Sequence, residues 1–283
     1  MVTIKDYGQY ETAWCPGCGN FNLLDAVKEA LAGQGLKPHQ VLFVSGIGQA
    51  AKAPHYLNAN LFNGLHGRAL PTATGAKLAN PGLVVIAESG DGCMYSEGGN
   101  HFLAAIRRNI SLTVLVHNNQ VYGLTKGQAS PTSDKGVITP AQPGGVISDP
   151  VNPVKLAVAM HAGLVARSFA GNREHLVSTI TKAMKHKGFS LVDILQPCVT
   201  FNHINTFKWY RERCRELPPE YDPSDWSAAM QKSEEWGDNI PVGIIYQKNR
   251  PSFEEHFKCL KKGFLGSTEP DRATLTEIMN GYR

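Results

Sequence analysis

A carboxylate and an amide stand at the ends of two successive apolar runs. Asp91, between Gly90 and Gly92, closes LVVIAESG, and Asn119 closes LTVLVHNN, 28 positions downstream. Mg²⁺ takes hard oxygen ligands in near-octahedral geometry, typically carboxylate, amide or backbone oxygens together with water and phosphate. Asp91 offers the carboxylate, Asn119 the amide oxygen, and the backbone carbonyl of Val121 a third ligand. The flanking glycines allow phosphate to approach the backbone closely. A helix starting near Glu97 would turn its N-terminus toward the negative charge. The set suits a diphosphate neutralised by a divalent cation. A bare GDG is equally a strand-end turn whose Asp caps a helix, but the second half, HNNQVYGLTKGQASPTS, makes the pattern particular.

A second group is made of thiols. Cys15-Pro16-Gly17-Cys18 brings two sulfurs within reach of one metal centre, and Cys198 follows Pro197 after the last apolar run. Thiolate is a soft ligand, so iron-sulfur and zinc are the natural occupants. A thioredoxin-like role would need a strand upstream of the motif, and nothing before Trp14 reads as one. Cys214 and Cys259 fall in helix-like text and read as packing or surface thiols. Lys52 follows the turn GIGQAA, where a cation would pair with a second carboxylate on a dicarboxylic substrate; the plainer reading is a solvated surface lysine.

These residues need a frame. Apolar, β-branched runs start at Val41, Leu83, Leu112, Leu164 and Leu191, and helix-like segments cover Phe21 to Leu31, Arg68 to Leu78, Glu97 to Arg108, Pro153 to His161 and Arg173 to His186. The alternation predicts an α/β fold, a parallel sheet with helices on both faces. Ligands then gather beyond the strand ends, which is where Ser45-Gly46-Ile47-Gly48, Gly90-Asp91-Gly92, Asn118-Asn119 and Pro197-Cys198 fall. Residues 126–153, rich in Gly, Pro, Ser and Thr, read as a long ordered loop or lid. We divide the chain into a ligand-binding domain with its N-terminal CxxC segment over 1–200 and a C-terminal extension over 201–283, packed on the domain or on a partner.

Composition sets outer limits. At 42% hydrophobic residues the chain can bury a substantial core, and 28 Lys plus Arg against 24 Asp plus Glu leaves no basic run suited to nucleic acid or a membrane surface. No stretch approaches the apolar length of a bilayer span, and the start lacks a signal-peptide layout. A cytoplasmic setting with reduced thiols is the expectation.

WCPGCGN at Trp14, VSGIGQAAKAPHY at Val44, LHGRALPTATGAKLANP at Leu65, GDG at Gly90, GGNHFLAAIRRN at Gly98, NNQVYGLTKGQASPTS at Asn118 and QPCVTFN at Gln196 together resemble beta subunits of 2-oxoacid:ferredoxin oxidoreductases, in order and over nearly the whole chain. The resemblance implies the diphosphate-binding half of a thiamine-diphosphate fold. Its enzyme decarboxylates a 2-oxoacid, transfers the acyl group to coenzyme A and passes electrons through an iron-sulfur cluster to ferredoxin. It sets Ile47, Gly48, Gln49, Ala50 and His66 against thiamine diphosphate, and Gly92, Cys93, Gly123 and Leu124 along the diphosphate or thiazolium. It gives the Mg²⁺ to Asp91, Asn119 and Val121, and it makes Lys52 and Leu124 the substrate-selecting pair, with 2-oxoglutarate first and pyruvate or branched-chain 2-oxoacids behind. His66 out of context is a histidine in a turn. The Glu that activates the cofactor is expected from an alpha subunit, so this chain depends on a partner.

The family's cluster, a 4Fe-4S centre, is held by the CxxC pair, a cysteine in GIGC and the late PC cysteine. Cys15, Cys18 and Cys198 match three of these; Gln49 stands in the remaining position. Cys93, His55, a partner residue, or a site-differentiated or three-iron cluster could resolve the difference, and a structural zinc or a reduced thiol pair at Cys15 and Cys18 is the competing reading. The rival activity is a non-redox thiamine-dependent decarboxylase or synthase subunit, which needs no cluster.

Overall fold

The computed structural model describes residues 1–267 and 271–282. After a 3₁₀ turn at Ile4–Tyr7 come α1 (Gly19–Gly33), β1 (Val41–Ser45), β2 (Asn60–Asn63), α2 (Ala69–Ala79), β3 (Val84–Gly90), α3 (Gly99–Arg108) and β4 (Leu112–Asn118). A short hairpin, β5 (Val121–Tyr122) and β6 (Gln128–Ala129), opens the long loop. Then follow α4 (Pro153–Ala159), β7 (Leu164–Phe169), α5 (Arg173–Lys185), β8 (Phe189–Leu195), α6 (Phe207–Arg213), β9 (Cys214–Glu216), α7 (Trp226–Glu234), β10 (Ile240–Gln247) and α8 (Arg272–Asn280). All five expected strands and all five expected helices form.

Eight strands make one sheet in the order β2-β1-β3-β4-β8-β7-β10-β9. Every neighbouring pair is parallel except β7 with β10. Because side chains alternate across a strand, each strand feeds two cores. Val44, Val85, Ala87, Val114, Val116, Val165 and Leu191 pack toward Leu70, Phe102, Ile106, Val158 and Ala229 of α2, α3, α4 and α7. Phe43, Ile86, Leu115, Ala166 and Val192 pack toward Leu23, Val27, Leu31, Leu176 and Ile180 of α1 and α5. Each such large side chain contributes about 1.5–3 kcal/mol on burial, so strands covered on both faces read as near-continuous apolar runs in the sequence.

Local chemistry sets the helix ends. Asn152 Oδ1 accepts from Lys155 N at 2.9 Å with Pro153 opening α4, and Asn172 caps α5 through His175 N. Asn109, left-handed at φ 55°, ends α3. The short strands β2, β5, β6 and β9 and the longer β10 escaped the periodicity. Strand β10 carries Pro241 and Gly243, the latter at φ +135°, and a register shift between Ile244 and Tyr246 breaks its alternation. Strand β2, with Asn at both ends, is an exposed sheet edge. Cys214 opens edge strand β9 rather than lying in a helix, and Cys259 sits in a 3₁₀ turn. No helix among the described residues is long and apolar enough to cross a membrane.

Candidate active site

Strands β1, β3 and β4 run parallel, so their C-terminal ends open on one side of the sheet. There Ile47, Gly48, Gln49, Ala50, His66, Asp91, Gly92, Cys93, Asn119, Val121, Gly123 and Leu124 line a single pocket, with Gly90, Tyr122 and Thr125 completing it. Twelve positions named from sequence therefore converge on one cleft. Lys52 is not part of its wall. It lies in the 3₁₀ turn Ala50–Tyr56, half-buried, its backbone N donating to Gln49 O at 3.3 Å, and it has no ion-pair partner among the described residues.

Asp91 is the buried charge of the cleft. Ser130 Oγ donates to its Oδ2 at 2.5 Å, and Thr132 Oγ1 lies 2.6 Å from Asp91 Oδ2 and 2.8 Å from Asn118 Oδ1. The one Thr132 proton serves one of those acceptors at a time. Burial pushes the Asp91 carboxyl up to about 6, against the hydroxyl hydrogen bonds that favour its ionised form. Asn118 also donates to both oxygens of buried Asp193, each at 3.2 Å, and Tyr95 Oη donates to Asp193 Oδ1 at 2.8 Å. Asn119 Oδ1 accepts from Val121 N at 3.1 Å, which folds the chain into the turn that presents Val121 and Tyr122 to the cleft.

The long loop does grip the site. Gln120 Nε2 donates to Thr132 O at 2.8 Å, Ser133 Oγ to Gln120 O at 2.6 Å, and Ser130 N to Ser133 Oγ at 2.8 Å. Ser130 and Thr132 lie in the ASPTS stretch whose text was distinctive, yet periodicity gave no sign that both hydroxyls reach Asp91. Glu97 and Tyr122 are further unforeseen neighbours. Tyr122 Oη donates to Glu97 Oε2 at 3.2 Å, and His66 Nδ1 lies 3.1 Å from the same oxygen without hydrogen-bond alignment. Between Asp91 and α3 the chain makes a wide π-helical turn over Gly92–Glu97, so the expected helix start near Glu97 moves to Gly99. A Cβ on Gly92 would fall 2.1 Å from the Tyr122 ring, so any other residue here requires that ring to shift.

The thiols face a second pocket next door. Cys15, Cys18 and Cys198 line it with Trp14, Asn20, Gln196 and Phe201, and Gln49, Asn119 and Gly123 belong to both pockets. The two spaces share a wall. The CxxC turn opens α1, with a 3₁₀ turn and no strand before it. Burial pushes the Cys18 thiol up to about 11. Gln196 Nε2 points at Cys18 Sγ, 3.5 Å away, and the Oε1 atoms of Gln49 and Gln196 are buried without hydrogen-bond partners. Cys93 is turned to the first pocket, its Sγ accepting from Gly67 N at 3.2 Å, and His55 is exposed. Among the described residues no group of three His, Cys, Asp or Glu side chains is gathered tightly enough to hold an ion. Ile47 and Leu124 at the first opening and Val199 and Phe201 at the second are exposed and form an apolar rim.

Residues 41–194 match the family model described as thiamine pyrophosphate enzyme, C-terminal TPP binding domain, and residues 198–262 match the model for the C terminal part of the pyruvate ferredoxin oxidoreductase beta subunit. The chain is 48% identical to a 2-oxoacid:ferredoxin oxidoreductase subunit beta of Saccharolobus solfataricus over 86% of this chain and 84% of that one. It is 45% identical to a protein of the same name from a Sulfolobus species, over 90% and 88%. Among solved structures, 2-oxoglutarate:ferredoxin oxidoreductase from Magnetococcus marinus, with 2-oxoglutarate, coenzyme A and succinyl-CoA bound, superposes with a TM-score of 0.92 at 35% identity, covering 98% of this chain and 96% of that one.

Proposed function

Since the chain belongs to the beta subunits of 2-oxoacid:ferredoxin oxidoreductases and carries their thiamine-diphosphate-binding domain, we propose that it serves coenzyme A-dependent oxidative decarboxylation of 2-oxoglutarate, handing electrons through an iron-sulfur cluster to ferredoxin. The observation that carries this reading is the wall of Gln49, Asn119 and Gly123 shared by the two pockets, which sets a diphosphate cleft beside three thiols.

The cleft residues suit thiamine diphosphate and Mg²⁺, whereas Cys15, Cys18 and Cys198 line one pocket without being gathered tightly enough to hold an ion. Asp91, Asn119 and the Val121 carbonyl are the proposed Mg²⁺ ligands: a buried carboxyl held up at about 6 is a site short of positive charge. Ile47, Gly48, Gln49, Ala50, His66, Gly92, Cys93, Gly123 and Leu124 are the proposed contacts of thiamine diphosphate, which when bound supplies the carbon nucleophile and electron sink for decarboxylation. The protein's own part is to orient and enclose. Ser130 and Thr132 hold the Asp91 carboxylate in place and tie the loop that carries them to the diphosphate side of the cleft. His66 stands beside Glu97 and Tyr122 at the pocket rim. Three thiolates from Cys15, Cys18 and Cys198 are the proposed cluster ligands.

Lys52, free of an ion-pair partner and one turn from the pocket wall, is the proposed counter-charge for a distal carboxylate, with Leu124 shaping the same space. The apolar rim supports a covering alpha subunit that supplies the activating Glu. We read residues 201–283 as an extension of the same body, since β10 enters the main sheet, and place the enzyme in the cytoplasm, where its thiols stay reduced. The test is iron, sulfide, zinc and thiamine analysis of the anaerobically purified complex, with EPR spectra before and after 2-oxoglutarate and coenzyme A. Thiamine, iron and sulfide with a substrate-reducible signal is the expected result; thiamine without iron would establish the non-redox decarboxylase instead.

A further inference from the structure

Strand β8 is interrupted by one charged residue. Asp193, two positions from Leu191 and so on the same face of the sheet, is buried. A carboxylate taken out of water is costly unless hydrogen bonds and an opposite charge compensate it. Its neighbours across the sheet do both. Arg167, its register partner on β7, supplies the charge, while the guanidinium donates to Pro241 O and Ser233 O, each at 3.3 Å, and lies 5.6 Å from the centre of the Trp236 ring. Tyr95 Oη donates to Asp193 Oδ1 at 2.8 Å, and Asn118 Nδ2 lies 3.2 Å from both carboxylate oxygens. Burial pushes the Asp193 carboxyl up, and Arg167 with these hydrogen bonds opposes it.

The Asn118 amide stands between a group that only accepts and a group that can do either. A carboxylate has no proton to give, so it takes the amide NH₂. The amide oxygen must then face Thr132, whose Oγ1 is 2.8 Å away. A hydroxyl would accept from an NH₂ equally well, so the orientation is chosen by Asp193 and not by Thr132. Thr132 is thereby left between two acceptors, Asn118 Oδ1 and Asp91 Oδ2, the latter at 2.6 Å. Asp193, Asn118, Thr132 and Asp91 form an unbroken buried row from β8 across β4 to the end of β3.

We infer that Asp193 is a positioning residue of the diphosphate site: by fixing the sense of the Asn118 amide it holds the Thr132 hydroxyl, and with it the Asp91 carboxylate, in the arrangement that receives the cation. This rests on the assignment of Asp91 to Mg²⁺ above. Partners of this kind, which orient a ligand without binding the ion, change metal affinity when removed. Arg167, anchored by carbonyls of α7 and β10, extends the row into the C-terminal segment.

The test is calorimetric titration of Mg²⁺ into the metal-stripped complex at saturating thiamine diphosphate, for wild type, Asp193→Asn, Thr132→Val and the double variant. Asp193→Asn, nearly unchanged in shape, should weaken Mg²⁺ binding about tenfold. In the Thr132→Val background the same change should matter less than about twofold, because the link it works through is already cut. Equal losses in the two backgrounds would mean that Asp193 acts through packing or through its charge at a distance, and would overturn the inference, as would unchanged affinity in Asp193→Asn. If Asp193→Asn yields no folded complex, Asn118→Ala cuts the row at its next member and is read by the same cycle with Thr132→Val. Undiminished Mg²⁺ binding by Asp91→Ala would instead remove the metal assignment, and this inference with it.

Discussion

Asp91→Asn separates the cost of the buried charge from its use. Asn is close in shape to the protonated acid, and its Oδ1 can still accept from Ser130 and Thr132, so the substitution removes charge while sparing packing. In the cofactor-free protein the Asp91 carboxyl stands at about 6 against an ordinary 3.8, chiefly through burial. At about 1.4 kcal/mol per pH unit, that gap amounts to roughly 3 kcal/mol. The sign follows from proton counting. Between 3.8 and about 6 the native state binds the proton that the unfolded chain has released, so stability falls as pH rises across this window and stays lowered above it. Stripped of metal and thiamine diphosphate, the Asn variant should therefore be more stable than wild type near neutral pH by up to about 3 kcal/mol, a rise of roughly 6–12 °C in melting temperature. The advantage should vanish toward about pH 4. Adding Mg²⁺ and thiamine diphosphate should raise the wild-type transition and leave the variant where it was. Scanning calorimetry of the chelator-stripped protein from about pH 4 to pH 7.5, with and without ligands, measures all of this. A cofactor-free variant that is less stable than wild type, or a difference that does not change with pH, would refute the reasoning.

Further outcomes follow from the same geometry. Because Mg²⁺ competes with a proton at Asp91, its apparent affinity should fall roughly tenfold from about pH 7 to about pH 5; a titration showing no change would take the carboxylate out of the ligand set. Gly92→Ala drives a Cβ into the Tyr122 ring. It should cost about 1–3 kcal/mol and lower the thiamine content of the purified complex, whereas full retention would mean that Tyr122 moves aside freely. Lys52→Ile should depress kcat/KM for 2-oxoglutarate more than for pyruvate, by about tenfold for one lost charge-assisted contact; equal losses for both substrates would remove Lys52 from substrate selection.

The sheet was legible because strands buried on both faces leave an apolar run that needs no partner to be recognised, as at Leu112–Asn118. The cleft was legible because its walls follow those strands directly in sequence. What stayed hidden depended on distant encounters. Ser130 and Thr132 reach Asp91 across a loop whose path is set by Gln120 and Ser133. Strand β10 is disguised by Pro241 and Gly243, and its place beside β7 is decided by tertiary pairing. Lys52 was expected at the pocket, yet the 3₁₀ turn leaves it beside the wall and not in it.

The late arrival of β10 shapes how the molecule is made. Strand β7 occupies an interior position in the sheet, yet one of its two neighbours, β10, is synthesised after every other strand of that sheet. Until Gln247 has left the ribosome, β7 presents an open hydrogen-bonding edge, the kind of template that recruits other chains. A nascent chain that already holds both pockets thus passes through a stage with its sheet unsealed, and chaperone protection or early docking of the partner would matter most there. Strand β10, which begins 42 positions beyond Cys198, acts as the closing clasp of the fold.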